Sequence, residues 1–160
     1  MGDFVTLAFY KGKSRVVDRV IQTVTRAPYS HVEMTLRSDP EEPAGVVRRG
    51  FSSSALDGGV RAKLINFGSG RWDFWTASIA DHARLAMERK MQDLKGQPYG
   101  YTDLLAFVIP FWGNNRKQWF CSEVVSRVLA LGFYGLPKAP VSPGALARWC
   151  DDRSSWRKDE

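Results

Sequence analysis

The chain has 160 residues, 44% of them hydrophobic and 12% aromatic, which is enough apolar material for one well-buried domain. Its formal net charge of +6 favours encounters with anionic surfaces, but the scattered positive residues form no run of the kind that binds nucleic acid, so we expect no specific nucleic-acid partner. The two cysteines, Cys121 and Cys150, argue against a disulfide scaffold and fit synthesis in a reducing compartment, with one bridge between them left open.

No targeting or membrane-spanning segment is evident in the sequence. Residues 1–4 lack a basic segment followed by an apolar core, so we expect synthesis in the cytoplasm without a signal peptide. The longest apolar run, 104–112, is too short to span a bilayer and contains Pro110. The sequence predicts a single domain over 1–150 and a polar C-terminal tail over 151–160, the only segment for which disorder is expected.

Strand and helix patterns alternate along the first third of the chain. Residues 4–10 predict a strand, and Ser14 is placed to cap a helix over about 15–25. The apolar face of that helix is predicted to consist of Val16, Val17, Val20, Ile21 and Val24. Residues 30–36 then predict an alternating strand. The side chains expected to face its core are Val32, Met34 and Leu36. Those expected to face solvent or a cleft are His31, Glu33 and Thr35.

The remaining elements predict a sheet packed by helices. Further strands are predicted over 46–51, 60–66 and 71–77, with a hairpin loop over 39–45 and a turn-rich connection beginning at the serines 52–54. Ser78 and Asp81 resemble a capping box for a helix that ends near Leu94. The run 104–112 predicts a short buried helix, and Ser142 opens a last one. We therefore predict an α+β fold with a central antiparallel sheet.

A cysteine lies in the first turn of a predicted helix. Residues 119–125, with the sequence WFCSEVV, place Cys121 after an aromatic run, and apolar residues then recur at helical spacing up to Gly132. The start of a helix offers free backbone N–H groups and partial positive charge, and both favour a nucleophilic thiolate. The alternative role for Cys121 is that of a small buried hydrophobe.

Cysteine catalysis also needs a base, and the chain has two histidines. His31 shares the polar face of its strand with Glu33, whereas His82 is interpreted as a solvated residue at the start of a helix. The alternative role for His31 is that of a half-exposed strand residue. A zinc site is disfavoured because no two of the histidines and cysteines stand at a paired ligand spacing. Cys150 is interpreted as a packing residue.

Three segments occur in a defined order: YSHVE at 29–33, GQPY at 96–99 and FCSEVV at 120–125. Together they resemble the circularly permuted NlpC-type papain-like cysteine hydrolases, the YaeF/YiiX-like amidase group, in which the histidine strand precedes the cysteine helix. The resemblance extends over about 4–149. Residues 52–61 are also similar to small, virus-borne members of this group.

The resemblance implies a papain-like fold in which Cys121 is the nucleophile and His31 the general base and later acid. The family's third polar residue usually comes from the neighbouring strand, which here would be 46–54 and has no carboxylate at an inward position. Glu33 is therefore the first choice for the residue that orients the imidazole, and Ser52 the second. Tyr99 matches the family's tyrosine and would donate a hydrogen bond to the oxyanion, with a core tyrosine as the alternative role.

The resemblance also implies the substrate. Peptidoglycan stem peptides are the family's commonest target, so we expect cleavage of a cell-wall amide through a Cys121 thioester, without metal or cofactor. The most specific version of this hypothesis is a phage-encoded hydrolase that is carried in or with the virion. Two alternatives stay open: a hydrolase of lipid-linked or acyl amides, and a non-enzymatic virion structural or adaptor protein with a degraded site. An acyltransferase of the lecithin–retinol type is disfavoured, since the residues after Cys121 do not match that group's pattern.

Overall fold

The computed structural model describes residues 3–37, 47–98, 120–138 and 141–159. Within these ranges it contains one six-stranded sheet and four helices. In chain order the elements are β1 (Asp3–Tyr10), α1 (Val16–Thr25), β2 (His31–Arg37), β3 (Val47–Ser54), β4 (Gly59–Asn66), β5 (Trp72–Ile79), α2 (Asp81–Leu94), α3 (Cys121–Leu129), α4 (Pro143–Asp151) and β6 (Arg157–Asp159). None of these helices is long and apolar enough to cross a membrane.

The strands of the sheet run in the order β4-β3-β2-β1-β5-β6, and every neighbouring pair is antiparallel. The register places Tyr10, the last residue of β1, opposite both His31 and Trp72. The start of β2 therefore lies at the end of the sheet where β1 ends and β5 begins, and β2 is an interior strand flanked by β3 and β1. The predicted α+β class with a central antiparallel sheet is confirmed.

Helix α3 packs on one face of the sheet, against β2 and β3. The core cluster that contains this helix and these strands includes the fully buried side chains Val32, Met34, Phe51, Val124, Val125 and Val128. Burial of each such aliphatic or aromatic side chain contributes about 1.5–3 kcal/mol. This packing fixes the start of α3 relative to the strand that begins at His31.

The face that α1 buries differs from the sequence prediction. Ile21 is buried as predicted, but Val16 is 78% exposed, and the polar residues Asp18 and Gln22 are buried beside Ile21. Asp18 Oδ2 accepts a hydrogen bond from the Arg15 N–H at 3.2 Å, so Asp18 provides the N-terminal cap that was expected from Ser14. Gln22 Nε2 donates to two loop carbonyl oxygens, at 3.0 and 2.8 Å. The inward face of α1 therefore combines Ile21 with two polar residues, which tie the adjoining loops to the helix.

Three other predictions were wrong. The serines 52–54, expected in a turn, lie in β3, because its pairing with β4 continues to Ser54 and Gly59. Ser78 lies in β5, and α2 begins at Asp81 without a side-chain cap. The tail, expected to be disordered, includes β6, which pairs with β5, and Trp156 is only 6% exposed. One buried aromatic ring and the unpaired edge of β5 are enough to order a polar segment.

The other predicted elements divide into two groups. The strands over 4–10, 60–66 and 71–77 are present with similar bounds, and Ser142 accepts a hydrogen bond from the Ala145 N–H at 3.1 Å as the cap of α4. The loop over 39–45 and the apolar run 104–112 lie outside the described residues.

Candidate active site

Cys121 is the first residue of α3. The preceding residue, Phe120, has an extended backbone with φ −77° and ψ 152°, so the helix begins at the cysteine. Ser122 Oγ donates a hydrogen bond to the Val141 carbonyl oxygen, which ties the start of the helix to the segment before α4. Cys121 is 1% exposed. The thiol is therefore shielded from solvent. The free backbone N–H groups at the start of the helix are the nearby polar groups, and they favour negative charge on the sulfur.

The ring of His31 contacts both Cys121 and Glu33. His31 is the first residue of β2, and its Nε2 lies 2.7 Å from Glu33 Oε1. Cys121 is the other side chain that acts on the ring, through its charge and as a hydrogen-bond partner. The His31 side chain is 23% exposed. Three side chains thus form one row, sulfur to imidazole to carboxylate, that can be reached from solvent at the imidazole.

The surroundings of His31 favour its protonated form. Burial alone would lower the pKa of the imidazole. The charge and hydrogen bond of Cys121, and then those of Glu33, outweigh burial and raise the pKa of His31 to about 10. At neutral pH the ring of His31 therefore keeps its proton, which is the form that a general acid needs.

The Glu33 carboxylate is 1% exposed and is surrounded by hydrogen-bond donors. Arg61 Nη1 donates to Oε2 at 2.7 Å and Nη2 donates to Oε1 at 2.5 Å. Burial would raise the pKa of this carboxyl, but the hydrogen bonds and charges of His31 and Arg61 hold it below its usual range. An ionised carboxylate on Nε2 orients the imidazole ring and stabilises its positive charge.

The residues considered for the third role lie in different places. Glu33, the first choice, contacts the imidazole and lines a cleft as expected, although its side chain is almost fully buried. Ser52, the second choice, donates from Oγ to the Val32 carbonyl oxygen at 2.7 Å, so it holds the backbone of β2 and not the ring. Tyr99 lies outside the described residues.

Arg61 is the site residue that sequence reasoning missed. It stands opposite Ser52 in the pairing of β3 with β4, and this register brings its side chain to the carboxylate on β2, two strands away. Nothing local in the sequence encodes that register. The one local indication was the alternation of polar and apolar residues in β4, which places the basic residue Arg61 on the face opposite to Val60.

A cleft of about 280 Å³ opens next to His31 and Glu33. Its walls come from β1, β5, α1 and the β3–β4 turn, and include Tyr10, Trp72, Val17, Leu56 and Arg15. Leu56 is 68% exposed. A cleft with apolar walls, a cation and a titratable pair at its floor has the features of a binding site.

Because Gly50 has no side chain, the Glu33 carboxylate has room to lie next to it. A Cβ at position 50 would lie 2.9 Å from Glu33 Oε2 and 2.8 Å from Ile65 Cδ1. The carboxylate cannot move away without lengthening its bonds to His31 and Arg61. We therefore expect Gly50→Ala to slow alkylation of Cys121 at pH 6 by roughly tenfold, a change of ~1.4 kcal/mol.

The control for this prediction uses the second contact. Ile65→Val removes Cδ1, so Gly50→Ala combined with Ile65→Val keeps only the contact with Glu33. We expect the double variant to remain as slow as Gly50→Ala. If the double variant alkylates at the wild-type rate, the effect comes from Ile65, and Gly50 is not needed by the carboxylate.

The other cysteine and histidine lie away from this row. Cys150 is fully buried, and burial raises the pKa of its thiol far above the usual range, which agrees with a packing role. Both cysteines are free. His82 is exposed on α2. Across 3–37, 47–98, 120–138 and 141–159, no group of three or more histidine, cysteine, aspartate or glutamate side chains could hold a metal ion.

Neither a protein-family model nor a curated protein sequence matches the chain. Among solved structures, the metalloprotein YiiX from Escherichia coli O157:H7 matches with a TM-score of 0.59 and 14% sequence identity, over 99% of this chain and 95% of that chain. The chain has the YiiX fold. This agrees with the YiiX-like part of the resemblance found in the sequence.

At 14% identity the likeness to YiiX concerns the fold. It supports neither the circular permutation of a papain-like domain nor a phage origin, and it assigns no activity. A metal ion belongs to YiiX by its description. In this chain both oxygens of Glu33, the carboxylate in contact with His31, accept hydrogen bonds from Arg61.

Proposed function

We propose that the chain is a papain-like cysteine hydrolase that cleaves an amide bond through a thioester on Cys121. The row of Cys121, His31 and Glu33 carries this proposal. In it, one imidazole contacts a sulfur at a helix start on one side and a buried, ionised carboxylate on the other. Nucleophilic catalysis by cysteine uses a thiolate, a base within hydrogen-bond reach of it, and a third group that orients the base.

The chemistry follows from the protonation of the pair. The Cys121 thiolate adds to the amide carbonyl carbon, and the C–N bond breaks as His31 gives its proton to the leaving amine. Water then adds to the thioester, His31 takes a proton from it, and the C–S bond breaks to release the carboxylic acid. Backbone N–H groups at the start of α3 are the proposed donors to the oxyanion, with Tyr99 as a further proposed donor.

Peptidoglycan stem peptides are the proposed substrate class. The sequence resemblance supports this choice, and the net charge of +6 favours encounters with anionic wall polymers. The cleft also fits a short peptide with a carboxylate, since apolar walls at Val17 and Leu56 adjoin the cation of Arg15. The most specific version of this proposal is a cell-wall hydrolase that is encoded by a phage, made in the cytoplasm and carried in or with the virion.

The substrate test uses the purified protein and isolated cell walls. We expect incubation with peptidoglycan to produce new amino termini and soluble fragments, identified by mass spectrometry. A panel of fatty-acyl amides tests the second substrate class. Release from acyl amides with an intact cell wall would support a lipid amidase of the same fold, and no hydrolysis of either would contradict the proposed activity.

Alkylation separates an enzyme from an adaptor with a degraded site. A free thiol with a pKa near 8.5 is about 0.3% thiolate at pH 6. We expect iodoacetamide to label Cys121 at pH 6 at least roughly tenfold faster than it labels free cysteine, because the neighbouring imidazolium stabilises the thiolate. Peptide mass mapping separates Cys121 from Cys150, which should stay unlabelled until the protein unfolds. Slow labelling of Cys121 would favour the adaptor.

A further inference from the structure

Three nitrogens of the Arg61 guanidinium donate hydrogen bonds to carboxylates. Nη1 and Nη2 donate to the two oxygens of Glu33, at 2.7 and 2.5 Å, and Nε donates to Asp57 Oδ2 at 2.8 Å. The Arg61 side chain is 15% exposed. A two-point contact between a guanidinium and a carboxylate holds both groups in a common plane, which a single ammonium cannot do.

This contact determines where Glu33 presents its charge. Oε1 accepts from both His31 Nε2 and Arg61 Nη2, while Oε2 accepts from Arg61 Nη1. Without Arg61 the carboxylate could rotate about its last torsion angle and offer the ring either oxygen or neither. Its burial would also favour the neutral acid, which cannot stabilise an imidazolium.

Two further residues are arranged around the same carboxylate. Asp57, in the turn between β3 and β4, holds Arg61 from the side away from Glu33, and its pKa is lowered to about 2 by hydrogen bonds from Arg61 and Lys63 that outweigh burial. Gly50 on β3 leaves room for Oε2. Two neighbouring strands thus confine Glu33, β4 through Arg61 and β3 through Gly50.

We propose that Arg61, itself held by Asp57, is a positioning residue that locks the Glu33 carboxylate in the orientation in which it serves His31. This inference rests on the proposed function. It extends the row by two members, so that the β3–β4 hairpin controls the reactivity of a cysteine on α3. Arg61 contacts neither Cys121 nor the reacting bond in this arrangement and acts through Glu33 and His31.

A double-mutant cycle tests whether Arg61 acts through Glu33. We expect Arg61→Gln to slow alkylation of Cys121 at pH 6 by about 10- to 100-fold. In a Glu33→Gln background the same change should alter the rate by less than about twofold, because the group through which Arg61 acts is already lost. If the two effects multiply in full, Arg61 acts independently of Glu33 and the proposal is overturned.

Lys63→Gln is the matched control. Lys63 lies on the same strand, carries the same charge and pairs with the same Asp57, at 2.6 and 2.8 Å, but makes no contact with Glu33. We expect it to change the alkylation rate by less than about twofold. An effect as large as that of Arg61→Gln would mean that the net charge of the hairpin, and not the position of Glu33, controls Cys121.

Two measurements keep the test decisive if Arg61→Gln is poorly folded. Asp57→Asn loosens Arg61 without leaving Glu33 unpaired, and we expect it to slow alkylation about two- to fivefold. Arg61→Ala should regain at least half of the lost rate when guanidinium is added at tens of millimolar, far below denaturing concentrations. Absence of both effects would overturn the proposal.

An NMR readout reports on the ring itself. His82→Gln leaves His31 as the single histidine of the chain, and ring ¹H–¹⁵N correlations then distinguish its Nε2 proton, whose nitrogen couples to both ring carbon-bound protons, from its Nδ1 proton. We expect a sharp downfield resonance from this proton in that background and its loss on adding Arg61→Gln. An unchanged resonance would show that Glu33 needs no help to hold the ring. None of these readouts uses a substrate, so failure to hydrolyse amides would remove the proposed function alone, and additivity in the cycle would remove the role of Arg61 alone.

Discussion

Replacing Cys121 by alanine is expected to abolish amide hydrolysis while the fold remains intact. The sulfur is the only proposed nucleophile, and removal of the nucleophile from comparable hydrolases lowers kcat by roughly 10⁴-fold or more. The change deletes one atom at a site that is 1% exposed, so we expect a loss of unfolding free energy of about 1 kcal/mol. Fragment release from peptidoglycan measures the activity, and circular dichroism during urea unfolding measures the stability.

Cys150→Ala is the matched control for this experiment. It also removes a sulfur from the core, where Cys150 is fully buried on α4 and does not line the cleft. We expect a similar small loss of stability and hydrolysis within twofold of the wild type. Loss of activity with Cys150→Ala but not with Cys121→Ala would refute the mechanism.

Replacing His31 by glutamine is expected to lower hydrolysis by about 10³- to 10⁴-fold, because both the base and the acid of the reaction are lost. In the wild type, Cys121 and Glu33 raise the pKa of His31 to about 10, so the ring keeps its proton through neutral pH and loses it as the pH rises through that value. Acylation, which needs this proton for the leaving amine, should therefore decline towards pH 10. In His31→Gln this decline should be absent, and alkylation of Cys121 at pH 6 should fall to the rate of an ordinary thiol.

His82→Gln provides the comparison for His31→Gln. His82 is exposed on α2 and has no described contact with the row. Its replacement should leave both the rate and the pH profile within twofold of the wild type. Retention of more than a tenth of the wild-type rate in His31→Gln would contradict the role of His31 as base and acid.

Local patterns were sufficient for the elements that carry the reactive groups. The aromatic run before Cys121 and the helical spacing after it predicted where α3 begins, because helix starts depend on neighbouring residues. Strict alternation predicted the strand that begins at His31 and paired His31 with Glu33 on one face. Both features depend on residues that are close together in the chain, so they can be predicted from a single sequence.

Other features depended on which segments meet in space. Glu33 lines the cleft as its strand face predicted, but Arg61 reaches it from β4 and the carboxylate is buried. On α1, the polar residues Asp18 and Gln22 are buried beside Ile21, because Asp18 caps the helix and Gln22 binds the loops on either side of it. In both cases hydrogen-bond partners that the apolar pattern does not record decided that a polar side chain is buried.

By itself, the sequence determined the α+β class, the start of the cysteine helix and the strand that carries His31. The tertiary structure alone decided that Cys121 and His31 meet at one end of the sheet. It also decided that Arg61 of β4, and not a residue of β3, holds the Glu33 carboxylate. The physical reason is strand register: shifting β4 by one residue would turn Arg61 to the opposite face. That register is set by pairing and packing across the whole sheet, and no short segment of the chain contains it.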